Sequence, residues 1–543
     1  MLPALLGAGL APAFLSSPAD GQTPNPRFDG SVLGPGVHRV SQSLTVKTDL
    51  ALSPGAQIHI EQGRTLRLLG DLVAPVSHIF TGPGTVDLNQ SRAAAAYPEW
   101  WGARGGEADT DSLPALQACI AAHPVTLLGA TDYHISDTLR IERPFIRIWG
   151  AGYRGRQTGE GTRLIVRGGT ADVVRIGPAY QPRQVNDYLQ GVDLRWVQLT
   201  RAEPVRTAAV GLRVAFVLHC HIEAVSAFEH ATGFVVTGAV RTVLRDCIVF
   251  RSRDQADAGV PFRGFHLDGT AETGLAGGNA SLFLDDCNVS IGGRPNVPDP
   301  VGLLLEGAFA DSFVTSFETA GVAAGIRVSG EAGQLGGRGR AGHANLHIRM
   351  PILDQCRMGI EITDVSPYGL IELSEPYVAL APQALAAIRL DRVRGGTTLT
   401  GGQIIGFDDA RAGGNGLGLH ATDSEGLSVH GLKLTDLRRP VGIDHCAAVR
   451  LEASINNPGQ AASQSAIWIR ASTRVSVRSG VRGKRDAFPQ AVLIVDDQSS
   501  GIDIETTGLD RDAVVGGDAN RVKWGERSLA TPYRSATIRV DGC

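Results

Sequence analysis

A short phrase recurs along this chain: a glycine, an apolar residue, any residue, then a second apolar residue. It reads Gly211-Leu-Arg-Val, Gly233-Phe-Val-Val, Gly264-Phe-His-Leu, Gly302-Leu-Leu-Leu, Gly325-Ile-Arg-Val and Gly359-Ile-Glu-Ile. Weaker copies follow as Ala387-Ile-Arg-Leu, Gly416-Leu-Gly-Leu, Gly442-Ile-Asp-His and Ala466-Ile-Trp-Ile. Successive copies start 22, 31, 38, 23, 34, 28, 29, 26 and 24 residues apart. A glycine turn feeding a two-step apolar alternation marks a short strand with its apolar side chains on one face. Repetition at one-coil spacing with variable insertions marks a β-solenoid, whose coils contact only their neighbours and vary in their loops. The longest gaps predict large loops around Gly274–Pro300 and Gly330–His343, beside the same strands and able to wall a groove. With 68 glycines, 6% aromatic residues and three methionines in 543 residues, the chain fits many turns around small, β-branched cores.

If the phrases stack in register, their outward positions form rows with rungs about 4.8 Å apart. The second residue after each lead gives Arg213, Val235, His266, Leu304, Arg327, Glu361, Arg389 and Gly418. The fourth gives Ala215, Thr237, Asp268, Glu306, Ser329, Thr363, Asp391 and His420. Asp268 then lies beside Glu306. Two adjacent carboxylates repel when both are ionised, so one pKa rises, and an acid beside a base is what glycoside cleavage uses. One rung is near the ~5 Å carboxyl separation of retaining enzymes. Asp268 and Glu306 are therefore the candidate catalytic pair, with His266, Arg327 and Glu361 orienting substrate. Trp468, outward on a late rung, is a candidate sugar platform. A second pair, Asp311 and Glu318, points to another face. A lyase would need a base and a group that neutralises a uronate. Arg327, Arg349 and His347 are the residue types for it, and Asp268 or Glu306 would then hold Ca²⁺. No metal site and no certain cofactor are predicted. The bland reading, polar solenoid surface, applies to the same residues.

The net charge of -4, from 51 basic and 55 acidic residues, argues against a nucleic-acid surface. The one basic cluster, Arg482-Gly-Lys-Arg485, reads as a solvated loop. Seven cysteines form no C-x-x-C pair, which disfavours a zinc knuckle. Leu244-Arg-Asp-Cys247, Leu284-Asp-Asp-Cys287 and Leu353-Asp-Gln-Cys356 place three of them at an equivalent corner of different coils, as buried free thiols. Residues 1–26 read as a leader. Met1–Leu15 is uncharged and apolar and Ser17-Pro-Ala19 supplies small residues, so export to the periplasm, cell surface or medium is expected, although a basic start is missing. No other apolar run is long enough to span a bilayer.

Residues 27–95 read as an N-terminal β cap region. Its brief strands are paired as Val37/Val40, Leu44/Val46, Leu50/Leu52, Ile58/Ile60 and Leu66/Leu68, consistent with small coils or a sandwich. Then come Tyr97-Pro-Glu-Trp-Trp-Gly-Ala103, Asp109-Thr-Asp-Ser112 and a short helix over Leu113–His123, capped by Asp111 or Ser112 and able to cover the open edge of a stack of strands. Trp100 and Trp101 read as packing between the cap and this helix. The G-x-G-x-x-G match at Gly150–Gly155 precedes no helix, so it is not read as a dinucleotide site.

The Trp-Gly-Ala phrase, the Thr-Asp turn and the capping helix resemble the entry module of the rhamnogalacturonase- and pectate-lyase-like branch of the pectin lyase superfamily. The resemblance covers about residues 97–155, and the coil phrase extends it to about residue 495. It departs from the family at Gly105-Gly-Glu-Ala-Asp109 and at Leu128-Gly-Ala. It implies an all-β fold, a single-stranded right-handed parallel β-helix of three-strand coils over residues 96–500. A short N-terminal capping helix would precede it and a C-terminal β cap would follow over 501–543, where Ser535-Ala-Thr-Ile-Arg-Val closes the last rung. The Gly-led strand would be the first of each coil, with Leu-x-x-Cys between the second and third. The fold hosts hydrolases, lyases and non-catalytic tailspike-like binders alike, so it implies a glycan partner without choosing a reaction. It also allows a homotrimer. Neither the calcium set of pectate lyases nor the Asn-x-Asp, Gly-His-Gly and Arg-x-Lys series of polygalacturonases can be matched here.

Overall fold

The computed structural model describes residues 32–538, apart from 154–159, 204–207, 253–259, 271–278, 293–296, 331–342, 368, 383, 407–415, 458–464, 484–492, 497, 508–512, 516–519, 525–526 and 531–535. The leader, Lys484-Arg485, Cys543, residues 331–342 of the loop anticipated at Gly330–His343, and residues 274–278 and 293–296 of that at Gly274–Pro300 lie outside the described residues.

The chain divides into two compact units. In the first, nine brief strands between Val32 and Asp87 form three three-stranded parallel sheets, so this region consists of small coils and not of a sandwich. Gly36–Val40 pairs with Ala56–Ile60, and Leu44–Val46 with Thr65–Leu68, one coil of about twenty residues further on.

The second unit is a right-handed parallel β-helix. The Gly-led strands form one fifteen-stranded sheet, and the second and third strands of each coil run together into a larger one. The copies from Gly211 to Gly359 stack in the predicted register, Phe234 against Phe265, Phe265 against Leu303, Leu303 against Ile326 and Ile326 against Ile360. These side chains and their partners two positions on, Val236, Leu267, Leu305, Val328 and Ile362, are buried. Each such burial stabilises the fold by about 1.5–3 kcal/mol. Phe234 and Phe265 stack at 4.7 Å and 10°, and Phe317 meets Phe265 edge-on at 6.0 Å.

The lead glycine is not a turn. Gly211, Gly233 and Gly264 lie inside their strands. A Cβ on Gly264 would stand 2.4 Å from the carbonyl oxygen of Gly302, and one on Gly302 2.7 Å from that of Gly325. The coils from Gly211 to Gly359 therefore need glycine because the next coil's backbone occupies the place of its side chain.

Two weaker copies are displaced by two residues from their predicted register. Leu419 pairs with Ile388 and His420 with Arg389, so Gly418, not Gly416, holds the lead position. Val441 pairs with Leu419, which puts Pro440 at the lead and Gly442 on the outward row. The long gap from 264 to 302 is not one loop. It contains the second and third strands, Asn279–Asp285 and Asn288–Ile291, between two shorter connections.

In the coils from Trp196 to Gly431 the tight corner between second and third strands is made by one left-handed residue. Trp196, Ala224, Asp246, Asp286, Ser316, Met350 and Glu375 all have φ between 49° and 57°, and Gly401 and Gly431 continue the series. Such backbone is costly for residues with a side chain. The cost is met by bonds to the next coil, from Asp246 N to Asp285 O at 3.0 Å and from Asp286 N to Thr315 O at 3.0 Å. Cys247 and Cys287 follow this corner. Cys356 does not, because it ends the third strand Ile352–Cys356 just before Met358–Thr363, so its Leu-x-x-Cys copy belongs to a different corner. All six described cysteines are free and buried.

The helix Leu113–Ala122 covers the first edge. Asp111 accepts from Leu113 N at 3.1 Å and from Ser136 N and Oγ at 3.0 and 2.7 Å, tying the helix start to the stack. The Gln117 amide accepts from Arg140 N at 2.8 Å and donates to Arg140 O at 3.0 Å, in place of a missing strand. Trp100 is buried between Tyr97 and Trp101, which is packing and not a sugar platform. At the far end Ala536–Ile538 pairs antiparallel with Ala513–Val515 and closes that edge. Among the described residues no helix is long and apolar enough to cross a membrane.

Candidate functional site

The outward face of the first sheet carries the candidate residues. Asp268 and Glu306 are register partners on neighbouring strands. His266 and Glu306 meet diagonally, Nε2 to Oε2 at 2.8 Å. Asp268 accepts from Thr270 N at 2.9 Å and from Thr270 Oγ1 at 2.5 Å, and Thr237 Oγ1 approaches it at 3.5 Å.

The predicted rise in one carboxyl pKa is not found at Glu306. The bond from His266 holds this carboxyl below its usual range against a raising effect of burial, with Arg263 and Arg327 adding attraction. Glu306 is thus an ionised carboxylate at neutral pH, suited to act as base or nucleophile and not as the acid.

Arg327 and Glu361 are also register partners. Arg327 Nε donates to Glu361 at 2.8 Å and its NH1 to Asp299 at 2.9 Å. Asp299 also accepts from Arg263 at 3.3 Å, and Glu361 faces Arg389 at 3.6 Å. These side chains form a ladder of alternating charge that is satisfied within the protein and borders the pair on its C-terminal side. Asp299 comes from the described end of the third-to-first connection, outside any repeat phrase, so no spacing marks its role.

Trp468 is outward on the row, paired with Gly442. The Arg439 guanidinium lies over its ring at 4.7 Å and that of Arg470 at 5.9 Å. The ring is therefore already engaged by cations, unlike the open platform anticipated.

The other candidates lie elsewhere. Asp311 accepts from Asn345 at 2.8 Å on the second strand, while Glu318 is on the third. His347, also on a second strand, bonds Glu372 at 2.6 Å and Asn345 at 2.7 Å and stacks on Phe313 at 4.6 Å. Arg349 lies over the same Phe313 ring at 5.5 Å. None of these is brought to the pair. Among the described residues no group of three or more His, Cys, Asp or Glu is placed to hold a metal ion. Asp268 and Glu306, each bonded to its own neighbours, do not assemble the six or more oxygens Ca²⁺ takes.

The row also extends beyond the first glycine phrase. Arg140 pairs with Arg175 and Arg175 with Arg213, placing three arginines on consecutive rungs. Their strands lack the lead glycine at the first two rungs, which hid the continuation in the sequence. Near the first rungs a cleft of about 480 Å³ is lined by Phe145, Tyr180, Glu142 and Asp187 among others. Phe145 and Tyr180 are 64% and 62% exposed.

No protein-family model matches the chain, and no curated protein matches it in sequence. Among solved structures, the pre-mature gene product 12 of bacteriophage phi29 superposes with a TM-score of 0.52 at 12% identity, covering 80% of this chain and 58% of that one. A mutant tailspike protein of Escherichia coli bacteriophage HK620, in complex with a pentasaccharide, superposes with a TM-score of 0.53 at 10% identity, covering 75% of this chain and 73% of that one. The chain thus spans less than two thirds of the length of the phi29 protein. These likenesses show a common β-helix fold.

Proposed function

We propose that this chain binds a polysaccharide along the outward face of the first sheet and cleaves it at Asp268 and Glu306. The observation that carries the reading is the register of these two carboxylates on adjacent strands, with His266 bonded to one of them. The fold shared with a tailspike crystallised with a pentasaccharide supports a glycan as ligand. In this reading Glu306, kept ionised by His266, is the base or nucleophile. Asp268, its register partner, is assigned the proton-donor role by its place beside that base. The ladder from Arg263 through Arg327 to Glu361 holds the edge of the groove rather than contacting the reacting bond.

A second reading, a tailspike-like protein that holds glycan without cutting it, draws on one specific observation. Asp268 is engaged by its own Thr270 and Glu306 by His266, so both carboxylates are satisfied without a substrate. Membership in the pectin lyase-like superfamily, export and a homotrimer are parts of the same proposal. They rest on the Tyr97–Ala103 module and capping helix, on the apolar start of the chain and on the resemblance, respectively. A reducing-end assay over a panel of polysaccharides, with ultraviolet absorbance for an unsaturated product, separates hydrolase, lyase and binder.

A further inference from the structure

The outward row is strongly basic over its first three rungs. Arg140, Arg175 and Arg213 stand in register on consecutive strands, about 4.8 Å apart per rung. Like charges directly opposite one another on a sheet destabilise it. Among the described residues only Arg213 of the three has a carboxylate partner, its Nε donating to Asp172 at 2.6 Å. Arg175 has no carboxylate partner among the described residues, and its Nε is buried without a hydrogen-bond partner. Arg140, exposed on the first rung, has its backbone and not its guanidinium held by Gln117. An uncompensated pair of positive charges on neighbouring rungs is relieved by an anionic ligand.

We infer that Arg140 and Arg175, beside the Asp172-paired Arg213, form an anchoring site for carboxylate or sulfate groups on the glycan, separate from the Asp268–Glu306 pair. The site rests on the glycan reading above and adds to it both a charge requirement and a position. Arg175 is three rungs from Asp268 along the same sheet, through Arg213, Val235 and His266. The anionic substituent therefore lies about 14 Å from the attacked bond, so a ligand must be several sugars long to reach both. Cationic forks of this kind bind planar carboxylates and sulfates in two-point fashion.

The test is calorimetric titration of the full chain with three probes: an oligouronate, a sulfated oligosaccharide and a neutral dextran oligomer of equal length. The site predicts binding of an anionic probe that weakens as salt rises, with dextran at least tenfold weaker. The stronger of the two anionic probes identifies the group. Arg175→Gln should weaken that binding roughly tenfold, the effect of losing one charge-assisted contact, while the melting temperature of the unliganded protein stays level or rises. Should Arg175→Gln fail to fold, the exposed Arg140→Gln provides the same comparison. Equal binding of dextran, unchanged affinity in both variants, or a melting temperature that falls with affinity intact would overturn the site. The same titration on Asp268→Asn separates this inference from the catalytic one, since loss of cleavage with retained anionic binding leaves the arginine site standing. Cleavage of neutral glycans alone, indifferent to Arg175, leaves the pair standing and removes the site.

Discussion

Replacing Gly264 with alanine tests the physical basis of the repeat. The new methyl carbon would stand 2.4 Å from Gly302 O and 2.4 and 2.8 Å from the γ carbons of Val289. A backbone carbonyl in a parallel ladder cannot move without displacing the coil above, so overpacking of about 1–3 kcal/mol is the relevant cost. Against it stands the lower entropy of the unfolded alanine chain, a gain of about 0.4–1 kcal/mol. The net expectation is a loss of roughly 1–2 kcal/mol, the difference of those two terms. Gly168 is the control, because its added Cβ meets nothing within 4 Å, and Gly168→Ala should be neutral or slightly stabilising. Urea unfolding followed by circular dichroism reads both variants, and the midpoint for Gly264→Ala should fall with the slope unchanged. A Gly264→Ala protein as stable as the parent would refute the close-approach account and return the glycine to a turn-forming role.

Two further outcomes follow from buried and paired histidines. His230 is fully buried and held neutral, its pKa depressed well below the usual value first by burial and then by Arg201, while its Nε2 donates to Leu199 O at 3.0 Å. The unfolded chain takes up a proton there near pH 6.5 and the folded chain does not, so this stability is present above that pH and declines as pH falls below it, by at most about 1.4 kcal/mol per pH unit. His230→Gln should flatten this slope in acid titrations of the urea midpoint, and an unchanged slope would contradict the assignment. At the site, His266→Ala removes the bond that lowers the Glu306 pKa. The acid limb of the pH–rate profile should then move to higher pH, and a limb that stays in place would separate Glu306 from catalysis.

The first sheet was legible because its rule is local. A glycine required by the neighbouring backbone and two inward apolar residues write the same four letters at each coil, and that fixed the register of Asp268 against Glu306. The rule failed where other glycines imitated it. Gly416 and Gly442 each lie two residues from a true lead position, and at one of those positions a proline, Pro440, stands in for the glycine. It also failed where the lead was absent, which concealed Arg140 and Arg175. The left-handed corners had no composition to reveal them, since Asp, Ser, Met and Glu all occupy the same conformation under constraint from the next coil. Side-chain pairing was the least legible level. The adjacency of two carboxylates was readable, whereas the diagonal contact of His266 with Glu306, the capture of Asp268 by Thr270 and the coverage of Trp468 by Arg439 depend on rotamers and loops that no spacing encodes.

Product release from a polysaccharide panel by the parent, Asp268→Asn and Glu306→Gln proteins measures what the carboxylate pair does. The expected result is new reducing ends with at least one glycan, a fall of about a hundredfold or more in rate for each variant, and unfolding midpoints close to the parent's. An activity that survives both substitutions would contradict it.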